Sequence, residues 1–254
     1  MKKGAKIALI TGGSRGLGRN AALSLSGKGI NTIITYLKNK DEADAVVREI
    51  EKNGSEGAAL QLDVSDSAAF RVFSLGLHSL LQDKWDRDKI DFLINNAGFG
   101  MTAPIASTTE EQFDSLFNVH FKGVFFLTQT ILPMIADQGG IINFSSGLTR
   151  FCIPGYGAYA SMKGAVETFT KYLAKELGQR GIRANVIAPG AIDTDFNKAA
   201  LETHPEMRGF IASQTALGRM GEPDDIGGVV AALCTDELAW INAQRIEASG
   251  GMFL

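Results

Sequence analysis

At 254 residues, with 45% hydrophobic and 21% charged residues, the chain can bury one large core and has an ordinary globular composition. A net charge of -3 gives no general attraction to nucleic acid or to an anionic membrane, so neither is an expected partner. No apolar run approaches the ~20 residues that span a bilayer. Two cysteines, Cys152 and Cys234, make no disulfide framework and read as free thiols in a reducing cytosol.

The first strand-like run, Lys6 to Thr11, ends at once in Thr11-Gly12-Gly13, unlike the apolar core of a secretory signal. The loop Gly12-Gly13-Ser14-Arg15-Gly16-Leu17-Gly18 then leads into a helix. The second run is Asn31 to Tyr36, followed by an amphipathic stretch from Glu42 to Asn53. The third, Ala58 to Leu62, precedes Asp63-Val64. A charged segment from His78 to Lys89, with Trp85, leads to the fourth run, Ile90 to Asn95. Gly140 to Ser145 is the fifth, and a long helical pattern from Gly164 to Gln179 follows. The sixth run is Arg183 to Ala188 and the seventh Gln244 to Ala248, with an irregular insertion from Gly190 to Glu222 between them. Several runs are solid Ile, Val and Leu, which suits strands buried on both faces. Strands alternating with helices predict right-handed βαβ units around a parallel sheet. No linker or repeat interrupts them, so residues 1–254 read as one α/β domain.

The glycine loop carries the first chemistry. Glycines let the backbone turn tightly and approach a pyrophosphate, and the helix N-terminus then offers free N–H groups. The spacing Gly-x-x-x-Gly-x-Gly is not the commoner dinucleotide fingerprint, and a ligand-free tight turn would account for it alone. The same residues also read as Gly-x-Ser-x-Gly, a hydrolase nucleophile elbow. That reading needs an earlier strand for an oxyanion loop, and a late histidine after an acid. Nothing precedes the first strand, and among His78, His120 and His204 none fits clearly.

Tyr159-Ala160-Ser161-Met162-Lys163 opens a helical stretch. Residues four apart share a helix face. A phenol with pKa ~10 is a poor proton shuttle at neutral pH, and a neighbouring ammonium lowers that pKa. A solvated helix face explains most such pairs taken singly. In combination the chain resembles the single-domain short-chain dehydrogenase/reductase family over nearly its whole length. The resemblance rests on Thr11-Gly12-x-x-x-Gly16-x-Gly18, Asp63-Val64, Asn95-Asn96-Ala97-Gly98, Asn118, Ser145-Ser146, Tyr159-x-x-x-Lys163 and Pro189-Gly190, in that order.

That resemblance implies a Rossmann-type doubly wound, seven-stranded, mostly parallel sheet with helices on both faces. It implies Tyr159 as general acid in reduction and base in oxidation. Lys163 then lowers its pKa and bonds the nicotinamide ribose. Ser146, thirteen residues before the tyrosine, is favoured over Ser145 as the group on the substrate oxygen. Asn118 is expected to hold a relay water next to Lys163. His120 falls outside the family's positions and reads as a packing or surface residue. No cluster has metal-ligand spacing, so no metal is expected.

For the cofactor, NAD-preferring members carry an acid at the end of the second strand. Here that strand ends Tyr36-Leu37-Lys38, and the first carboxylate is Asp41. Arg15 and Lys38 can pair with a 2′-phosphate, so NADP(H) is expected over NAD(H). The expected cofactor residues are Gly12, Ser14, Arg15, Gly16, Leu17, Gly18, Tyr36, Lys38, Asp63, Val64, Asn95, Ala97, Gly98, Tyr159, Lys163, Pro189, Gly190, Ile192 and Thr194. Leu148, Phe151, Tyr156 and Phe196 are expected to line the substrate pocket, with residues 193–215 as a lid. This narrows the substrate to a ketone, aldehyde or secondary alcohol, 3-oxoacyl thioesters among them. The alternative is a catalytically silent NADP(H)-sensing protein of the same fold. Enoyl reductases of the superfamily space Tyr and Lys further apart. Members are commonly homotetramers, and the apolar tail Gly250 to Leu254 fits a subunit interface. Ala243 stands where relatives often carry glycine.

Overall fold

The computed structural model describes residues 4–254, except for the side chains of residues 196 and 198–200. The elements run β1 (Ile7–Ile10), α1 (Gly16–Ser26), β2 (Asn31–Tyr36), α2 (Lys40–Lys52), β3 (Gly57–Gln61), α3 (Phe70–Trp85), β4 (Ile90–Asn95) and α4 (Glu110–Phe117). They continue with α5 (Gly123–Ile131), β5 (Ile135–Phe144), α6 (Gly157–Glu176), β6 (Arg183–Pro189), α7 (Asp195–Thr203), α8 (Met207–Ser213), α9 (Asp224–Leu233) and β7 (Arg245–Ala248). All seven strands are parallel, in the order β3-β2-β1-β4-β5-β6-β7.

The solid apolar strands are explained by two cores. Successive side chains of a strand face opposite sides. Ala8, Ile10, Ile34, Phe92 and Ile94 pack with α1, α2 and α9 on one side. Ile7, Leu9, Ile33, Leu93 and Ile141 pack with α3, α5 and α6 on the other. Both faces being covered, no strand needs a polar stripe.

Two expectations shift. The fifth strand begins at Ile135 rather than Gly140, because Ile135 pairs with Ile90 before an irregularity that brings Gly140 against Phe92. Gln138 takes a positive φ of 67° there. The insertion after β6 is more regular than its sequence suggested, since it holds α7 and α8. Among the described residues no helix is long and apolar enough to cross a membrane.

In a fully parallel sheet every strand ends on the same edge. The order reverses between β1 and β4, so a crevice opens there above their carboxyl ends. The residues the sequence marked for the site lie along this edge, at the ends of β1 to β6 and in the loops and helix starts that follow them, or on the stretch from α4 to α6.

Candidate active site

The glycine loop is built by its neighbours. The Thr11 hydroxyl accepts the N–H groups of Asn96 and Ala97, both at 3.0 Å. The Asn96 amide donates back to the carbonyls of Thr11 and Gly12 at 2.9 and 3.1 Å. The Gly12 N–H donates to the Thr35 hydroxyl at 3.2 Å. The ends of β1, β2 and β4 are thereby fixed to one another. Gly16 has φ +55°, and a side chain there would meet open space, so its backbone faces outward and can be approached closely. At Gly18 a Cβ would lie 2.3 Å from the Gly12 carbonyl oxygen. The helix therefore closes on the loop only with glycine at that position.

Helix α1 starts with no side-chain cap from Arg15. Its first N–H groups and the positive end of its dipole are available to an anion. Arg15 and Lys38 are exposed at the mouth, and β2 ends without a carboxylate. This donor set fits a dinucleotide carrying an extra phosphate. One feature was not foreseen: Arg15 Nη1 lies 3.7 Å from Asp195 Oδ2, at the start of α7.

The remaining cofactor positions divide. Tyr36, Val64, Ala97, Gly98, Pro189, Gly190, Ile192 and Thr194 lie along the same strand-end edge. Asp63 accepts the N–H and hydroxyl of Ser65, at 2.8 and 2.6 Å, and so shapes its own turn. Asn95 turns its amide nitrogen inward, to Thr128 at 3.0 Å and Asn143 at 2.8 Å. It braces the ends of β4 and β5, and its buried Oδ1 has no partner among the described residues.

On the other side of the crevice, Ser146 caps the short turn Gly147–Thr149, accepting the Leu148 N–H at 3.2 Å. Its hydroxyl and that of the buried Tyr159 are hydrogen-bonded. Burial pushes the Tyr159 phenol well above its ordinary pKa, and the Ser146 bond offsets only part of that. The expected lowering by Lys163 is not among the causes, and desolvation keeps the phenol neutral. Lys163 donates to the Phe144 carbonyl at 2.9 Å. Its ammonium stands 5.7 Å from the Tyr159 ring centre, and burial pushes its pKa down to about 8.

The serine pair is separated by what lies behind it. Ser145 donates to Glu167 Oε1 at 2.6 Å. Glu167 continues the α6 stripe of Tyr159 and Lys163 by one more turn. It also accepts from Thr149 at 2.7 Å and from Arg245 Nε at 2.7 Å. Burial raises the Glu167 pKa, but these three bonds outweigh it, and the net effect is a lowered value. Arg245, on β7, reaches the Ser146 carbonyl at 3.1 Å and pairs with Glu247. No sequence motif pointed to this ion pair, since Glu167 and Arg245 lie on different elements far apart in the chain.

Of the expected substrate residues, Leu148 and Tyr156 pack against Tyr159, Met162 and Leu116. Phe151 packs against Phe253 with the rings tilted by 52° and their centres 4.6 Å apart. The side chain of Phe196 lies outside the described residues. The C-terminal tail folds onto its own chain. Arg150 donates to the Phe253 carbonyl at 2.9 Å, and the Phe253 N–H bonds Gln214 at 2.8 Å.

Asn118 ends α4 and opens a π-helical turn, Asn118–Lys122. Its side chain is half-buried and makes no hydrogen bond among the described residues. His120, read from sequence as packing or surface, is buried and lies edge-on to Tyr159 at 5.1 Å. A π-turn adds a residue to the helical repeat, so the regular period gave no sign of this.

Comparison with known proteins gives concordant results. Residues 12–253 match a family model described as enoyl-(acyl carrier protein) reductase. The chain is 38% identical to an uncharacterized oxidoreductase of Methylorubrum extorquens, over 97% of each. It is 35% identical to a 3-oxoacyl-(acyl-carrier-protein) reductase of Staphylococcus aureus, over 98% of each. A solved structure of the angucycline C-6 ketoreductase LanV with bound NADP superposes with a TM-score of 0.92, at 35% identity, over 98% of this chain and 95% of that one.

Proposed function

Because the chain belongs to the short-chain dehydrogenase/reductase family, we propose that it reduces a ketone with NADPH, using Tyr159 as the proton donor. The observation that carries this reading is the buried Tyr159–Ser146 hydrogen bond, with Lys163 one helical turn away. The Ser146 and Tyr159 hydroxyls together bond the substrate oxygen and stabilise the charge that develops on it. Tyr159 then passes its proton to that oxygen. Lys163 stays charged below about pH 8, holds the nicotinamide ribose and keeps the field around the phenol positive. When bound, NADPH supplies the hydride. The free N–H groups at Gly16, Leu17 and Gly18 hold its pyrophosphate, and Arg15 and Lys38 hold its 2′-phosphate. Ile192 and Thr194 cover the nicotinamide side.

Although the matched family model is described by an enoyl reductase, the four-residue Tyr159–Lys163 spacing and the Ser146 bond support attack on a carbonyl. The likeness to a 3-oxoacyl reductase and to an angucycline ketoreductase supports two substrate classes, 3-oxoacyl thioesters and polycyclic aromatic ketones. The aromatic rings of Phe151, Phe210 and Phe253 favour the second. The region 193–215 acts as the lid, and the protein works in the cytoplasm as a homotetramer, for which the exposed Phe113, Phe126 and Tyr172 on α4, α5 and α6 offer an apolar face. Turnover of NADPH against a panel of aromatic ketones, 3-oxoacyl thioesters and sugars tests the reading. Tight NADPH binding with no turnover on any of them would favour a sensor.

A further inference from the structure

The C-terminal tail is held in a conformation that its own backbone disfavours. Phe253 has a φ of 52°, in the left-handed region that a residue with a side chain rarely adopts. Such a residue persists where its surroundings over-determine it, and residues of this kind cluster at ligand sites. Two sets of contacts hold this one. On one side the Phe253 N–H donates to the Gln214 carbonyl at 2.8 Å, and Met252 bridges to Thr215, both at the end of α8. On the other side the fork of Arg150 donates to the Met252 carbonyl and, at 2.9 Å, to the Phe253 carbonyl. The tail is thus a strap from α8 to the loop between Ser146 and Tyr159.

Arg150 is itself fixed. Its Nε lies 3.5 Å from Glu247 Oε2, and Glu247 also pairs with Arg245, which bonds the Ser146 carbonyl. The guanidinium stands 5.5 Å from the centre of the Phe151 ring. Phe151 covers Gly147, the residue after Ser146, where a Cβ would come within 2.8 Å of the ring. The Phe253 ring meets Phe151 at 4.6 Å between centres, and it meets Phe210 of α8 at 6.4 Å and 57°. Three rings from three segments therefore form one wall that begins against the serine turn. Phe210 is 54% exposed and the other two rings are half-buried, so the wall stays open to a ligand.

Resting on the reading of Ser146 and Tyr159 as the pair that reduces a ketone, we propose that the tail is the specificity-determining wall of the substrate site. Phe151, Phe210 and Phe253 take the flat aryl part of an aryl ketone, and Arg150 is the residue that positions the wall. Tilted and offset ring contacts favour an aromatic guest over an aliphatic one. Arg150 suits the task because its planar fork reaches two carbonyls while its face covers a ring, which the point charge of a lysine does not reproduce.

The test compares two ketones on the full chain with NADPH: 1-tetralone, which carries an aryl ring, and ethyl acetoacetate, which carries none. The readout is the ratio of their kcat/KM values. General damage lowers both values and leaves the ratio alone. Arg150→Ala should lower the ratio roughly tenfold, mainly through KM for 1-tetralone, at the low end of what an apolar pocket discriminates. Arg150→Lys should lower it nearly as much, because charge alone does not hold both carbonyls. Phe253→Ala should match Arg150→Ala, and Phe253→Trp should keep the ratio within about threefold of wild type. An unchanged ratio in both Arg150→Ala and Phe253→Ala overturns the proposal, and a smaller native mass beside that unchanged ratio would make the tail a subunit contact instead. Should Arg150→Ala lose its fold, Phe253→Ala decides, since it removes one half-buried ring and no hydrogen bond. The Kd of 1-tetralone, measured by ligand-observed NMR with NADP+ present, needs no turnover and separates the two levels. If wild type reduces neither ketone but Phe253→Ala weakens 1-tetralone binding roughly tenfold, the ketone-reduction reading fails and the wall stands. If wild type reduces both and neither ratio nor Kd moves in the variants, only the inference about the wall fails. A wild type that neither binds nor reduces 1-tetralone overturns the wall outright.

Discussion

The two walls of the crevice are built from different materials. On the glycine-loop side the groups offered to a ligand are backbone N–H donors and two exposed cations, held by Thr11, Thr35 and Asn96. On the α6 side they are side chains, the half-buried Ser146 and the buried Tyr159 and Lys163, backed by the Glu167–Arg245 pair. Backbone donors keep their strength whatever the pH. Buried side chains depend on charge, burial and partners, and are the sensitive half of the site. Variants on the α6 side should therefore disturb chemistry and its pH dependence, whereas variants on the loop side should disturb which cofactor is chosen.

The largest effect short of removing the acid itself is expected at Lys163. Lys163→Ala should cut kcat by about 100-fold or more and raise KM for NADPH, because one group serves both chemistry and binding. Loss of kcat at unchanged NADPH affinity would detach Lys163 from the ribose. The wild-type rate of reduction should share this dependence. Burial has lowered the Lys163 pKa to about 8, so the ammonium is present below that pH and is lost as pH rises through it. Reduction should fall on the alkaline side of about 8, and a flat profile to pH 10 would contradict the assignment.

On the loop side, Arg15→Ala with Lys38→Ala should lower kcat/KM for NADPH by about one to two orders of magnitude and spare NADH. If wild type already prefers NADH, the cofactor assignment fails. If the double variant keeps the wild-type ratio, other residues hold the phosphate. Asp195, 3.7 Å from Arg15, is then the first place to look for a competing partner.

Glu167→Gln should have a smaller effect. It weakens the acceptor shared by Ser145, Thr149 and Arg245, so Ser146 loses support and kcat should fall roughly tenfold. Charge-assisted bonds of this kind are worth about 1.5–3 kcal/mol, and partial exposure puts the stability loss toward the lower figure. A variant unchanged in both melting temperature and rate would show that the network behind the serine is idle.

The contrast between the walls also explains what the sequence could tell. The loop side was legible because its chemistry is written in spacing: glycines, a following helix, a strand without a terminal acid. The Tyr159–Lys163 pair was legible for the same reason, being four apart on one helix. Ser146 was preferred to Ser145 on spacing alone, and Ser145 points to Glu167. What stayed hidden depends on contacts between distant segments. Arg245 meets Glu167 only through the fold, and His120 comes beside Tyr159 on a π-turn that no regular period announces. Asn95 is expected among the cofactor residues from its motif, and its amide braces two strand ends, a contact no motif announced. Ala243 was noted as an oddity, and the structure gives its physical reason, a φ of 59° in the left-handed region.

That last residue supports the smallest prediction. Ala243→Gly removes a left-handed penalty of ~1–2 kcal/mol. Part of the gain is offset by the greater freedom of glycine in the unfolded chain, by about 0.5–1 kcal/mol. A net rise in Tm of about 1–3 °C with unchanged kinetics is expected for a domain of this size. A fall in Tm would mean that the Ala243 side chain contributes packing that outweighs the strain.

The most direct test of the central claim is Tyr159→Phe, measured for both NADPH affinity and turnover of a ketone that wild type reduces. The ring still fills its place and only the donated proton is gone. The account predicts NADPH binding within about twofold of wild type, with kcat reduced by at least ~100-fold. Retention of more than about a hundredth of the wild-type kcat would contradict Tyr159 as the proton donor.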